Sequence, residues 1–199
     1  MRLVPTAQHT PGSSFCRVLH PNAGAAGGYS EWAIPAAHLK TKGYSMDLAR
    51  LNINIGGLPS CGYQGDVSVF DQVALLVGVP LPPSYLELIH TADGGHPEIG
   101  CFSPIGADDE NMFEIDYFYA FDNLAVERIQ DVIEKWTPFL GERTLPIGRD
   151  GGGNQIFLDM SSGSETVWIA LHDQGMKKIK IAESFESFIN SLRANPDFI

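Results

Sequence analysis

Leu145-Pro146-Ile147-Gly148-Arg149-Asp150-Gly151-Gly152-Gly153-Asn154-Gln155-Ile156-Phe157-Leu158-Asp159 is the stretch whose reading decides the fold. Strand-like apolar sequence stands on both sides of three glycines. A phosphate-binding glycine loop follows a strand and opens a helix, so that free N–H groups meet the anion. Here a second strand follows, and neither GxGxxG nor GxxxxGK[ST] occurs. Asp150 and Asn154 add an acceptor-rich rim that suits an anion poorly, and they lack the spacing of an EF-hand calcium loop. The stretch therefore reads as two antiparallel strands joined by a tight turn.

Outward from this hairpin the strand grammar continues. Val167, Ile169 and Leu171 alternate with Trp168, Ala170 and His172, so one sheet face is buried and the other is partly aromatic. Ile179 and Ile181 mark a short last strand. Ser184 is placed to cap a terminal helix whose Phe185, Phe188, Ile189 and Leu192 share one stripe. Upstream, Asp122-Asn123 can cap a helix through about Trp136, with Ile129, Val132, Ile133 and Trp136 at i, i+3, i+4 and i+7. After Pro138 the pattern returns to strands. Residues 99–105 and the aromatic 112–121 read as strands.

Helices dominate the earlier part of the domain. Asp66 or Ser68 can cap a helix running to about Gly78, with Val69, Val73, Leu76 and Val77 along one face. Leu81-Pro82-Pro83 forces an extended lead into a second helix, where Pro83 suits the first turn. Tyr85, Leu86, Leu88 and Ile89 make that helix apolar. Asp93-Gly94-Gly95 ends it, with a glycine in the left-handed C-cap conformation. Helices first, strands next and one closing helix give an α+β domain with a mainly antiparallel sheet over 66–199. Residues 47–65, with Gly56-Gly57 and Cys61-Gly62, read as a loose lead-in. Residues 1–46 show no sustained period and read as a disordered extension, or as a non-native one with translation starting at Met46.

Composition narrows the function classes. The 199 residues hold 13 Lys and Arg against 24 Asp and Glu, a net charge of −11, with a mean hydropathy of −0.04. Residues 1–46 carry four bases and one acid (+3), which leaves nine bases against 23 acids (−14) in 47–199. Between Arg50 and Arg128 there are twelve acids and no Lys or Arg. That balance argues against a nucleic-acid partner, whose phosphates are met by Lys and Arg. It also disfavours an anionic membrane surface. Cys16, Cys61 and Cys101 form no CxxC pair and are too sparse for a disulfide scaffold. The longest apolar run, Val73 to Leu81, is too short to span a bilayer. The expectation is a cytoplasmic protein.

The chemistry-bearing side chains give no catalytic set. His90, Asp93, His96 and Glu98 lie close in sequence but lack the spacing of a helical metal site. His172-Asp173 beside Cys101 lacks a nucleophile elbow. No metal, cofactor or catalytic residue is assigned. The acidic run Asp108-Asp109-Glu110, continuing to Glu114 and Asp116, stands beside Tyr117, Phe118 and Tyr119. Carboxylates can steer a basic partner and aromatic rings can anchor it. Asp108, Asp109, Glu110, Glu114, Asp116, Tyr117 and Tyr119 are therefore the candidate partner-binding residues, and Trp168 could extend the contact.

The pieces in their order resemble the SUKH superfamily, the Smi/Knr-like domains. The matching pieces are Leu81-Pro82-Pro83-Ser84-Tyr85-Leu86-Glu87-Leu88-Ile89 ending in Asp93-Gly94-Gly95, then Leu145 to Gly148, Asp150-Gly151-Gly152-Gly153-Asn154, Gln155 to Asp159, and Ile181 to Ile189 with Ser184, Phe185 and Phe188. The resemblance spans roughly 66–195, and Pro82, Pro83, Tyr85, Gly94, Gly95 and Gly148 read as structural within it. It implies an α+β fold with helices on a mainly antiparallel sheet. For bacterial members it implies an immunity protein that binds and neutralises a cognate toxin, often a nuclease. For the fungal branch it implies a regulatory scaffold in cell-wall assembly. Either way the expected partner is a protein, here a basic toxin domain, with no enzymatic activity.

Overall fold

A computed structural model of the chain describes residues 46–107 and 112–198. In chain order its strands and helices are β1 (Ile53–Ile55), β2 (Leu58–Pro59), α1 (Ser68–Val77), α2 (Pro83–Thr91), β3 (His96–Pro97), β4 (Cys101–Phe102), β5 (Phe113–Phe118), α3 (Ile129–Leu140), β6 (Thr144–Asp150), β7 (Gln155–Asp159), β8 (Thr166–Leu171), β9 (Lys177–Ala182) and α4 (Phe185–Ser191). Strands β4 to β9 form one sheet in chain order, each antiparallel to the next. The class is α+β, as the sequence pattern requires. The expected extension over 1–46 lies outside the described residues except for Met46.

Alternation sets which side chains the sheet buries. Leu145 and Ile147 of β6, Ile156 and Leu158 of β7, Val167, Ile169 and Leu171 of β8 and Ile181 of β9 all enter the main core. The other face carries Phe157 opposite Trp168, and Ala170 opposite Lys178. Phe157 and Ala170 are buried there against Leu140 at the end of α3, with Trp136 and Trp168 half-buried around them. Trp168 is thus neither fully core nor free, and its indole N–H donates to Thr166 Oγ1 at 2.9 Å.

The helices supply the other wall of the core. Tyr85, Leu88 and Ile89 of α2, and Phe185, Phe188 and Ile189 of α4, are all fully buried. At seven residues α4 is too short to be stable in water on its own. Its Ser184 capping box, with Ser184 Oγ accepting from Ser187 N at 3.1 Å, is worth about 1 kcal/mol. Each buried phenylalanine contributes roughly 1.5–3 kcal/mol, so packing decides. α1 commits less of its surface: Val73 and Val77 are buried, whereas Leu76, expected on that face, is 47% exposed.

Three expectations need correction. Residues 47–65 are not a loose lead-in. Met46, Leu48, Leu51 and Ile53 are buried in the main core, and β1 pairs with both β2 and β3. The Arg50 guanidinium donates to Leu192 O at 2.7 Å and to Ile189 O, satisfying carbonyls that the end of α4 leaves open. A three-residue strand with isolated apolar positions carries no period to read. Second, α3 begins at Ile129 rather than at Asp122, and it passes through Pro138 to a buried Leu140. The proline sits in the last turn, where it costs one backbone bond. Third, Ala92 rather than a glycine caps α2. Gly94, at φ +75, is needed for approach to β5 and the loop beyond it, since a Cβ there would lie 3.0 Å from Phe118 O and 2.8 Å from both Ala120 and Val126. Gly95 and Phe118 then exchange backbone bonds at 3.1 and 2.9 Å.

Ahead of α3, Asp93 holds the 121–123 backbone. Its buried carboxylate accepts from Phe121 N at 2.7 Å, Asp122 N at 3.0 Å and Asn123 N at 3.2 Å. The chain then loops through 121–128 and closes where Ala120 and Arg128 bridge. Burial raises the Asp93 carboxyl above its ordinary value, against the opposing pull of the three N–H donors. The folded chain therefore binds that proton more readily than the unfolded chain. The stability cost of the buried charge is present above the folded-state value and is relieved as pH falls through it. Asp93→Ala is expected to lower stability by about 2–3 kcal/mol near neutral pH. In denaturant titrations the gap between wild type and variant should widen as pH falls through that window. A variant as stable as wild type, or a gap that narrows in acid, would contradict this.

Candidate functional site

Strand β5 carries an irregularity that re-aims its side chains. Ile115 faces Asp150 and Tyr117 faces Arg149, so Asp116 is one residue in excess of its partner strand. Ile115 and Phe118 both point into the core, three residues apart, while Asp116 and Tyr117 stay half-buried between them. The bulge lets two neighbouring side chains meet one arginine. Arg149 lies 3.3 Å from Asp116 Oδ2 and 3.7 Å from Glu127 Oε2, with its guanidinium 4.9 Å from the Tyr117 ring centre. The Tyr117 hydroxyl donates to Glu127 Oε2 at 2.7 Å. Partial burial, and then the Glu127 carboxylate, push that hydroxyl well above the ordinary tyrosine range.

The ion pairs here are about one-third to two-fifths exposed, so each adds roughly 0–1 kcal/mol to stability. Their effect is to hold the planar groups in one arrangement. Tyr119 supports this face from beneath. It is buried, its ring meets Tyr117 edge-on at 5.8 Å, and its hydroxyl donates to Gln155 Oε1 at 2.6 Å. Gln155 in turn donates to Gly153 O at 2.9 Å, tying β5 to the hairpin.

The hairpin is closed on itself. Asp150 Oδ1 accepts from Asn154 N at 2.8 Å and Asp150 Oδ2 from Asn154 Nδ2 at 2.7 Å. Asn154 Oδ1 accepts from His172 N at 3.0 Å and lies 3.0 Å from His172 Nδ1. Gly153 adopts φ +87, which favours glycine, and Gly148 pairs with Phe118 across the sheet. Gly151 and Gly152 complete the turn between two strands. The stretch is thus a hairpin turn between two strands, as the sequence pattern predicts.

Of the acidic residues singled out from sequence, the two that are described, Glu114 and Asp116, take separate partners. Asp116 belongs to the Arg149 group. Glu114 accepts from Asn195 Nδ2 at 3.0 Å and neighbours Cys101. Asp108, Asp109 and Glu110 lie outside the described residues. Glu127 and Gln155 complete the face without a local sequence signal, because loop closure and strand register bring them there. The other titratable groups are turned to separate partners. His96 Nδ1 lies 2.8 Å from Asp116 O, His90 packs edge-on against Phe70, and Asp93 is bound to the 121–123 backbone. Cys101 is buried, and burial followed by the Glu114 charge pushes its thiol up to about 11, which suits no nucleophile.

Asn154 joins the turn to β8, so Asn154→Ala should lower stability by about 1–2 kcal/mol and free the His172 ring. Denaturant midpoints and the His172 proton resonances measure the two effects together. An unchanged midpoint with unchanged His172 resonances would contradict the assignment.

A search of the curated proteins finds no match to this chain. A family profile described as SMI1 / KNR4 family (SUKH-1) matches residues 69–191, well over half of the chain. The match opens one residue into α1 and closes on the last residue of α4. It therefore takes in the Asp93 turn, the β5 bulge, the Asp150–Asn154 hairpin and the Ser184 capping box, and by that match the chain belongs to the SMI1/KNR4 (SUKH-1) family.

Proposed function

We propose that this chain is a non-enzymatic binding protein, an immunity protein that neutralises a basic toxin by covering its active surface. The reading is carried by one observation, the run from Arg50 to Arg128 with twelve acids and no Lys or Arg. A nuclease-type toxin holds phosphates with Lys and Arg, so carboxylates set on a rigid sheet compete for the same groups. Asp116 and Tyr117, held by Arg149 and Glu127, offer a charged and aromatic edge. Asp108, Asp109, Glu110 and Glu114 belong to the same acidic stretch. Tyr119, being buried, acts through Gln155 and Tyr117. Membership of the SUKH-1 family supports a protein-interaction role. The self-satisfied hairpin and the buried Cys101 favour binding over catalysis. The site of action on this reading is the cytoplasm of the cell that makes the toxin.

The test is to find a basic toxin domain encoded next to this chain and to coexpress the two. Growth should be restored, and the purified complex should associate at least about tenfold more slowly at high salt than at low salt. The charge reversals Asp109→Lys and Glu114→Lys should slow association further. Absence of a complex, or association indifferent to salt and to both reversals, would overturn the proposal.

A further inference from the structure

We infer that the groove between α1 and the 78–86 connection into α2 is a second docking surface, one that seats the apolar stripe of a basic amphipathic helix. The inference rests on the binding-protein reading above and names a different face. α1 buries only Val73 and Val77, leaving Leu75 82% and Leu76 47% exposed. Single exposed leucines are ordinary, but Leu75 borders a concave apolar surface. Phe70, Ala74, Leu75, Val79 and Leu86 line a groove of about 420 Å³ in which Asp71 is the one charged side chain.

The chemistry of the groove selects its occupant. An amphipathic helix laid into such a cleft presents apolar residues at i, i+3, i+4 and i+7. Its flanks meet Asp71 on the groove lining, in a stretch of chain from 51 to 127 that holds twelve acids and no Lys or Arg. Flanks bearing Lys or Arg fit, and acidic flanks do not. A second copy of this chain would set the same carboxylates against each other across a two-fold contact. The occupant is therefore a helix of a partner, apolar on one side and basic on its borders.

The probe is a 14-residue leucine–lysine helix peptide with leucines at that spacing, titrated into the full-length chain by fluorescence anisotropy and amide shift mapping. Shifts should concentrate in residues 70–81. Leu75→Lys should weaken binding at least about tenfold, and a leucine–glutamate analogue should bind at least about tenfold more weakly. Leu124, 84% exposed on the 121–128 loop, supplies the control, because Leu124→Lys should leave affinity within about twofold. Since Leu75 is so exposed, its variant should keep the wild-type circular dichroism. Peptide binding that ignores Leu75→Lys, equal binding of the acidic analogue, or a dimer of the chain that Leu75→Lys dissolves would each overturn the inference. Full toxin neutralisation by the Leu75→Lys chain would overturn it too, while leaving the binding-protein reading intact. Loss of all complex formation in the wild type would instead remove that reading.

Discussion

Three backbone N–H groups converge on the buried Asp93 carboxylate, and much of the molecule depends on that arrangement. Asp93 follows directly on the end of α2, and its donors lie just beyond β5. The interaction therefore joins the helical layer to the sheet at one point. Gly94 and Gly95 complete the junction by letting the chain approach β5 closely enough to exchange backbone bonds with Phe118. Beyond the donors, the 121–128 loop is committed to a path that ends at Glu127. A buried charge of this kind is costly, and the three backbone donors offset that cost in part, since the carboxyl still stands above its ordinary value.

The candidate binding face inherits its geometry from the same junction. Glu127 reaches Tyr117 because its loop is pinned at Asp93 and closed by the Ala120–Arg128 bridge. Arg149 reaches both carboxylates because the β5 bulge turns Asp116 and Tyr117 toward one strand. What results is a set of charged and aromatic groups already oriented in the free protein. Such preorganisation lowers the ordering cost of association, which suits a protein whose work is to bind. Around it lies an acidic chain segment, and on α1 an apolar groove.

Much of the sheet was legible because β6 to β9 obey a simple period. Ile156, Leu158, Val167 and Ile169 alternate with residues of the other face, and the three glycines mark the only turn that joins β6 to β7. The capping box at Ser184 and the stripe Phe185, Phe188, Ile189 announced α4 equally well. Features that depend on distant partners were not legible. Nothing in Leu48, Leu51 or Ile53 reveals that they fill a core built 100 residues later, or that Arg50 closes α4. The helix α3 starts later than Asp122 because the chain first loops through 121–128 and bridges Ala120 to Arg128, a closure that no local pattern displays. The candidate site was half visible for the same reason. Asp116 and Tyr117 stand out as an acidic and aromatic run, whereas Glu127, Gln155 and the bulge that unites them follow from register and loop closure.

The measurement that tests the central claim most directly is amide hydrogen exchange at Phe121, Asp122 and Asn123, paired with a tyrosine titration, in wild type and Asp93→Ala. The account expects slow exchange at these three amides in wild type and fast exchange in the variant. Tyr117, released from Glu127, should then ionise at lower pH than in wild type, since part of what raises it is the Glu127 carboxylate. Equal protection of the three amides in both proteins, with an unmoved Tyr117 titration, would contradict the claim that Asp93 positions the candidate face.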